Sequence, residues 1–164
     1  MIVVFVMSFL SCSQEKTVEK NRKDIAREIM ISSKNCALIT IDSLGFPKAR
    51  AMDPFPPEEN FSVWLATNPR SSKVKDIVRN NKVTLYYFDK DDPGYVSIQG
   101  VASLVNDPEM KQKFWKEEWK NFYKNRMDDY LLIKVRPLNI HVISEKHNIL
   151  GDSINWAAPK LKLE

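Results

Sequence analysis

The chain has 164 residues, 43% hydrophobic and 28% charged, the size and balance of one globular domain. Its formal charge of +4 comes from basic and acidic side chains interleaved along the whole length, so the clustered footprint of a nucleic-acid binder is missing. The two cysteines, Cys12 and Cys36, and the two histidines, His141 and His147, have no ligand-spaced partners, which argues against a disulfide framework or a metal site.

The chain opens on an almost uninterrupted apolar run, Ile2–Leu10, too short to span a bilayer but suited to the apolar core of a signal peptide. Leu10-Ser11-Cys12 resembles a bacterial lipobox, in which a cysteine is lipidated after cleavage. The expectation is a signal peptide over 1–11, a lipid anchor on Cys12 and a polar tether over 12–23. That would place the protein at a bacterial cell envelope, facing the periplasm or the exterior. No Lys or Arg precedes the apolar run, a departure from the pattern. On the alternative reading the leader is not a signal and the protein is cytoplasmic.

Asp24 can cap a short helix with Ile25, Ile29 and Met30 on one apolar stripe. Cys36–Asp42 alternates as a strand, Ser43-Leu44-Gly45 reads as a hairpin turn, and Lys48–Met52 as the returning strand. Cys36, at a strand start, reads as packed rather than reactive. The three prolines of 53–60 make a loop. In Ser62–Ile77, Val63, Leu65 and Thr67 alternate with Ser62, Trp64 and Ala66, again a strand, which Asn68-Pro69 breaks. Ser71 or Ser72 can then cap a helix carrying Val74, Ile77 and Val78. With Thr67, Arg70, Ser71, Ser72 and Lys73 around a helix N-terminus, this corner offers donors and positive charge to a phosphate. The same residues would also make an ordinary capped corner with solvated charges.

Val83–Asp89 is a further strand, followed by a turn at Asp91-Asp92-Pro93-Gly94. Tyr95–Val105 is a long alternating strand with Val96, Ile98, Gly100, Ala102 and Leu104 on one face, and Gly100 marks a bulge or bend. Asp107-Pro108 opens a helix whose Trp115, Trp119, Phe122 and Tyr123 share one face, a stripe that reads first as core packing. Two last strands, Tyr130–Val135 and Asn139–Ser144, are separated by Arg136-Pro137, and the tail can add an edge strand from Lys160. Six or seven mostly antiparallel strands with helices in the connections favour a small closed barrel over an open sheet.

Five pieces in this order resemble the pyridoxamine 5'-phosphate oxidase-like flavoprotein family, in its general stress protein branch. They are Arg50-Ala51-Met52; Trp64-Leu65-Ala66-Thr67 with Ser71-Ser72-Lys73-Val74; Asn80-Asn81-Lys82-Val83; Ile98-Gln99-Gly100-Val101-Ala102; and the segment from Met127 to Val135. The resemblance covers roughly Asp24 to Ile143 and places the domain over 24–164. It implies a mainly β fold, a six-stranded antiparallel split β-barrel with peripheral helices, which forms a homodimer with FMN in clefts between the subunits.

By position, Arg50 and Lys73 would neutralise the FMN phosphate, helped by the hydroxyls of Thr67, Ser71 and Ser72. Ala51, Met52 and Ala66 would lie along the flavin. The vitamin-forming members carry a lysine near the place of Phe55 and an arginine set near the C-terminus; this chain has no arginine after Arg136. Ser72 replaces a second basic residue, and Tyr95 stands where a flavin-binding glutamine is common. The expected function is thus an FMN-dependent oxidoreductase with a small-molecule redox substrate other than vitamin B6, and no catalytic residue stands out. The alternatives are a non-catalytic module that binds or senses a flavin, a deazaflavin or haem, and a cofactor-free structural lipoprotein.

Overall fold

A computed structural model describes residues 4–163, with side chains from residue 17 onward. Helix α1, Val4–Ser32, leads into strands β1 (Cys36–Ile41), β2 (Pro47–Met52) and β3 (Val63–Thr67). Helix α2 (Ser72–Arg79) follows, then β4 (Lys82–Phe88) and the long β5 (Gly94–Val105). Two short helices, α3 (Pro108–Lys113) and α4 (Arg126–Asp129), flank a 3-10 turn at Glu117–Asn121 before β6 (Leu131–Ser144).

The six strands form one antiparallel sheet in the order β2-β1-β4-β5-β6-β3, curled into a half-barrel. Its edges, β2 and β3, meet at a seam joined by the Pro54–Leu65 bridge and by Phe55 N–H donating to the Trp64 carbonyl at 2.9 Å. The interior is filled by the inward set of every strand, with Leu38, Leu65, Leu85, Ile98, Ile133 and Ile140 fully buried. Ile25, Ala26, Ile29 and Met30 of α1 pack against the same core. The expected stripe of α1 is therefore present, but Asp24 lies inside the helix rather than at its cap, because no glycine or proline interrupts the polar run before it. The Cys12 side chain lies outside the described side chains.

Tight features follow the sequence closely. Asp42 accepts from the N–H groups of Leu44 and Phe46 at 2.8 and 3.0 Å, and Gly45 has φ +86°, a conformation that favours glycine. A Cβ on Gly100 would stand 2.5 Å from the Arg136 carbonyl oxygen, and the β5–β6 register slips between Gln99 and Gly100. The slip explains one difference from expectation. β6 does not break at Arg136-Pro137, since Pro137 sits opposite Gly100 and Leu138 is the extra residue, where the ladder tolerates proline. The tail makes an isolated bridge, His141 to Lys160, not a full strand.

The aromatic stripe also departs from expectation. α3 stops at Lys113, so Trp115, Trp119, Phe122 and Tyr123 are carried by irregular chain and the 3-10 turn. Trp115, Trp119 and Tyr123 join a second cluster outside β3, with Trp64, Phe114, Trp119, Tyr130 and Leu132 buried, while Phe122 stays exposed. Both faces of β3 are thereby covered, which is why all five of its residues are buried.

Candidate functional site

A cleft of about 620 Å³ opens at the seam between the two sheet edges. β2 contributes Ala51 and Met52, and β3 contributes Ala66 and Thr67. Asn68, Ser71 and Lys73 close one end, while Trp119, Phe122 and Tyr123 form the wall at the other. The volume lies within the range of small-molecule sites.

The polar end is a compact set of donors. Lys73 Nζ donates to Thr67 Oγ1 at 3.1 Å, and Thr67 Oγ1 and Ser71 Oγ lie 3.0 Å apart. Ser71 takes the N-cap position of α2 in extended conformation, yet its hydroxyl accepts no helix N–H and turns to Thr67 instead. Lys73 is half-buried, and burial first, then the charge of Arg50, hold its ammonium below the usual lysine pKa. Among the described residues no carboxylate pairs with it.

Arg50 is placed differently from Lys73. It borders a neighbouring depression on β1, β2 and β4, with Ala49, Tyr86 and Phe88. Its Nη1 donates to Thr40 Oγ1 at 2.7 Å and to the Lys48 carbonyl at 3.2 Å; its Nη2 donates to Asp76 Oδ2 at 2.9 Å and to Ser72 Oγ at 3.3 Å. Asp76, buried on α2, also accepts from Thr40 Oγ1 at 2.8 Å. Of the residues singled out in the sequence, Ala51, Met52, Ala66, Thr67, Ser71 and Lys73 thus share one cleft, while Arg50 and Ser72 bond to each other outside its lining.

Sequence reasoning missed Asp76, Asp53 and the cleft-facing part of the aromatic wall. Val78 was expected on the buried stripe of α2, but it is exposed and Asp76 is buried beside Ile77. Asp53 lines the cleft, with Lys116 Nζ at 2.6 Å and Trp119 Nε1 donating at 3.2 Å. Lys116 also sits 5.1 Å over the Trp119 ring. Trp119 is thus tied to Asp53 and Lys116, and Phe122 alone among the rings of the wall is strongly exposed, at 79%. The break after Lys113 was the missing signal: a helical stripe would have buried Phe122.

Residues 21–161 match the family described as pyridoxamine 5'-phosphate oxidase like. The chain is 25% identical over 131 residues to General stress protein 26 of Bacillus subtilis (strain 168), covering 76% of this chain and 91% of that protein. It is 30% identical to the crystal structure of General Stress Protein 26 from Bacillus anthracis str. Sterne, with a TM-score of 0.65 over 74% of this chain and 92% of that one. A pyridoxamine 5'-phosphate oxidase-related, FMN binding protein from Nostoc punctiforme PCC 73102 shares the fold at 11% identity and a TM-score of 0.61, covering 90% of this chain and 93% of its own. With the split barrel, its seam cleft and these matches in agreement, the chain belongs to the pyridoxamine 5'-phosphate oxidase-like family.

Proposed function

We propose that the seam cleft holds FMN and that the protein is a flavin-dependent oxidoreductase acting on a small-molecule redox substrate. The observation that carries this reading is the Lys73–Thr67–Ser71 corner, an ammonium without a carboxylate partner and two hydroxyls at one end of a cleft whose walls include Ala51, Met52, Ala66 and the rings of Trp119, Phe122 and Tyr123. That donor set fits a phosphate monoester joined to a flat ring system. The FMN-binding relative from Nostoc punctiforme supports it through the shared fold. FMN, when bound, supplies the electron transfer. Lys73 would hold the phosphate with Thr67 and Ser71, while Ala51, Met52 and Ala66 leave room along the ring. Phe55 packs edge-on against Phe114 and Trp119, 5.0 and 5.5 Å between centroids, so it offers packing where a vitamin B6 phosphate would need a cation.

A second reading, a module that binds or senses flavin without turnover, draws on Asp53. It is the one carboxylate lining the cleft, and Lys116 and Trp119 already occupy it. Turnover with a reduced nicotinamide and an acceptor separates the two readings.

Calorimetric titration of FMN and riboflavin tests the cleft itself. A hydrogen bond to a charged group contributes about 1.5–3 kcal/mol, so Lys73→Ala should weaken FMN roughly 10- to 150-fold. Riboflavin, which lacks the phosphate, should be unaffected. Equal losses for both would mean that Lys73 supports the ring or the fold, and the phosphate assignment would fail.

The proposal extends to location and assembly: a homodimer, tethered through 12–23 to a lipid on Cys12 after removal of 1–11, at the cell envelope. Among the described residues no helix is long and apolar enough to cross a membrane. Cys12→Ser should move the protein from the membrane fraction to the soluble one; unchanged partitioning would rule out the lipid anchor.

A further inference from the structure

The aromatic end of the cleft differs in chemistry from the Lys73 corner. Among the lining residues Lys73 is the one cation and Asp53 the one anion. Asp53 is already matched: Lys116 Nζ stands 2.6 Å from its Oδ1, and Trp119 Nε1 donates to its Oδ2 at 3.2 Å. This end therefore offers no free charge, and an ion placed against it would give up hydration without a counter-charge in return. What it offers is ring surface. Phe122 stands exposed, and among the described residues no other ring packs on it.

Tyr123 beside it is half-buried, its ring edge-on to Trp119 and Tyr130 at 6.2 and 4.9 Å between centroids. The N–H groups of Phe122 and Tyr123 donate to the Trp119 carbonyl at 2.9 and 3.1 Å, which fixes both residues on the wall. The Tyr123 hydroxyl has no hydrogen-bond partner among the described residues. Burial pushes its pKa up, so the phenol keeps its proton at neutral pH and is available as a donor. Apolar faces with a polar group among them suit a neutral ring, which the faces bind and the polar group orients.

We infer that the Phe122–Tyr123 end of the cleft receives the substrate, and that this substrate is an uncharged aromatic ring bearing a carbonyl oxygen, the class to which quinones belong. The inference rests on the flavin reading above, which assigns the other end to the phosphate, and it gives Phe122 and Tyr123 separate parts. Phe122 stacks on the ring, and the Tyr123 hydroxyl donates to the carbonyl.

FMN-saturated protein is titrated calorimetrically with naphthoquinone, naphthoquinone sulfonate, N-methylquinolinium and naphthalene. Naphthoquinone should bind about tenfold or more tighter than either charged ring. Phe122→Ala removes a solvated ring and should weaken naphthoquinone and naphthalene alike, roughly 2- to 10-fold. Tyr123→Phe keeps the ring contacts and should weaken naphthoquinone by about 2- to 10-fold while leaving naphthalene unchanged. FMN affinity, measured by flavin fluorescence, should stay the same in both variants. No binding of naphthoquinone, tighter binding of a charged ring, or unchanged affinity in the two variants overturns the inference. Equal losses for FMN and naphthoquinone also overturn it, since the wall would then hold the flavin or the fold. If the protein takes up no FMN, the flavin reading falls, and naphthoquinone titrated into the ligand-free chain and its two variants still decides the role of the wall.

Discussion

Lys73 stands in a conflict between solvation and function. Burial and the nearby Arg50 charge both disfavour its ammonium form, so its pKa in the folded protein lies below that of the unfolded chain. Between those two values the unfolded chain binds more protons, so this group makes the ligand-free protein gain stability as pH rises through that window. Phosphate binding runs the other way, since it needs the cation. FMN affinity should fall with rising pH earlier than an exposed lysine would dictate, and Lys73→Gln should flatten the dependence. Flavin fluorescence titrated from neutral to alkaline pH checks it; a pH-independent affinity in wild type would remove Lys73 from the phosphate. Thr67, Ser71 and Lys73 were legible in the sequence because a strand ending in Asn68-Pro69 leaves the following serines nowhere to go but a helix start. Asp76 was not. A carboxylate inside a short polar helix reads as solvent-facing, and its burial depends on Arg50, 26 positions away on an edge strand.

Helix α2 shows how an element can give up a local stabilising contact at a site. An N-cap serine that bonds a helix N–H contributes about 0.5–2 kcal/mol. Ser71 occupies that position without making the bond, its hydroxyl being 3.0 Å from Thr67. Ser71→Ala should accordingly lower the urea midpoint by less than an ordinary cap loss, while FMN binding weakens severalfold. A stability loss of full cap size with unchanged FMN affinity would restore the ordinary capped corner. Elements with strong local chemistry were the readable ones: the Asp42–Gly45 hairpin and the Gly100 bulge each follow from a residue with a conformational or steric requirement. The aromatic segment was not readable, because spacing alone cannot tell a helix that continues past Lys113 from a chain that breaks and wraps β3. The same tertiary contact keeps β6 whole across Pro137: only pairing with Gly100 makes proline acceptable there.

At the scale of the molecule, the sheet leaves its cleft open at the seam, beside large apolar side chains that the chain itself does not cover. Phe122 at the cleft wall is 79% exposed, and Phe88, in the depression that also holds Arg50 and Ala51, is 64% exposed. Ala51 lines both hollows, so a second copy seated on the Phe88 face would stand next to the ligand. A homodimer with each flavin shared between subunits follows from the proposed function, and ligand and partner should then stabilise each other. Ligand at a hundred times its Kd adds about 2.7 kcal/mol to the folded state, or roughly 5–10 °C in Tm for a domain of this size. Light scattering at micromolar concentration should report a dimer. The FMN-induced rise in Tm should grow with protein concentration, because dimer formation and binding are linked. Phe88→Glu should weaken the dimer and FMN affinity together, leaving the ligand-free Tm of the monomer near its wild-type value, since the side chain is already solvated. A protein that stays strictly monomeric while saturated with FMN would show that one chain completes the site, and the exposed Phe88 face would then have no part in holding the flavin.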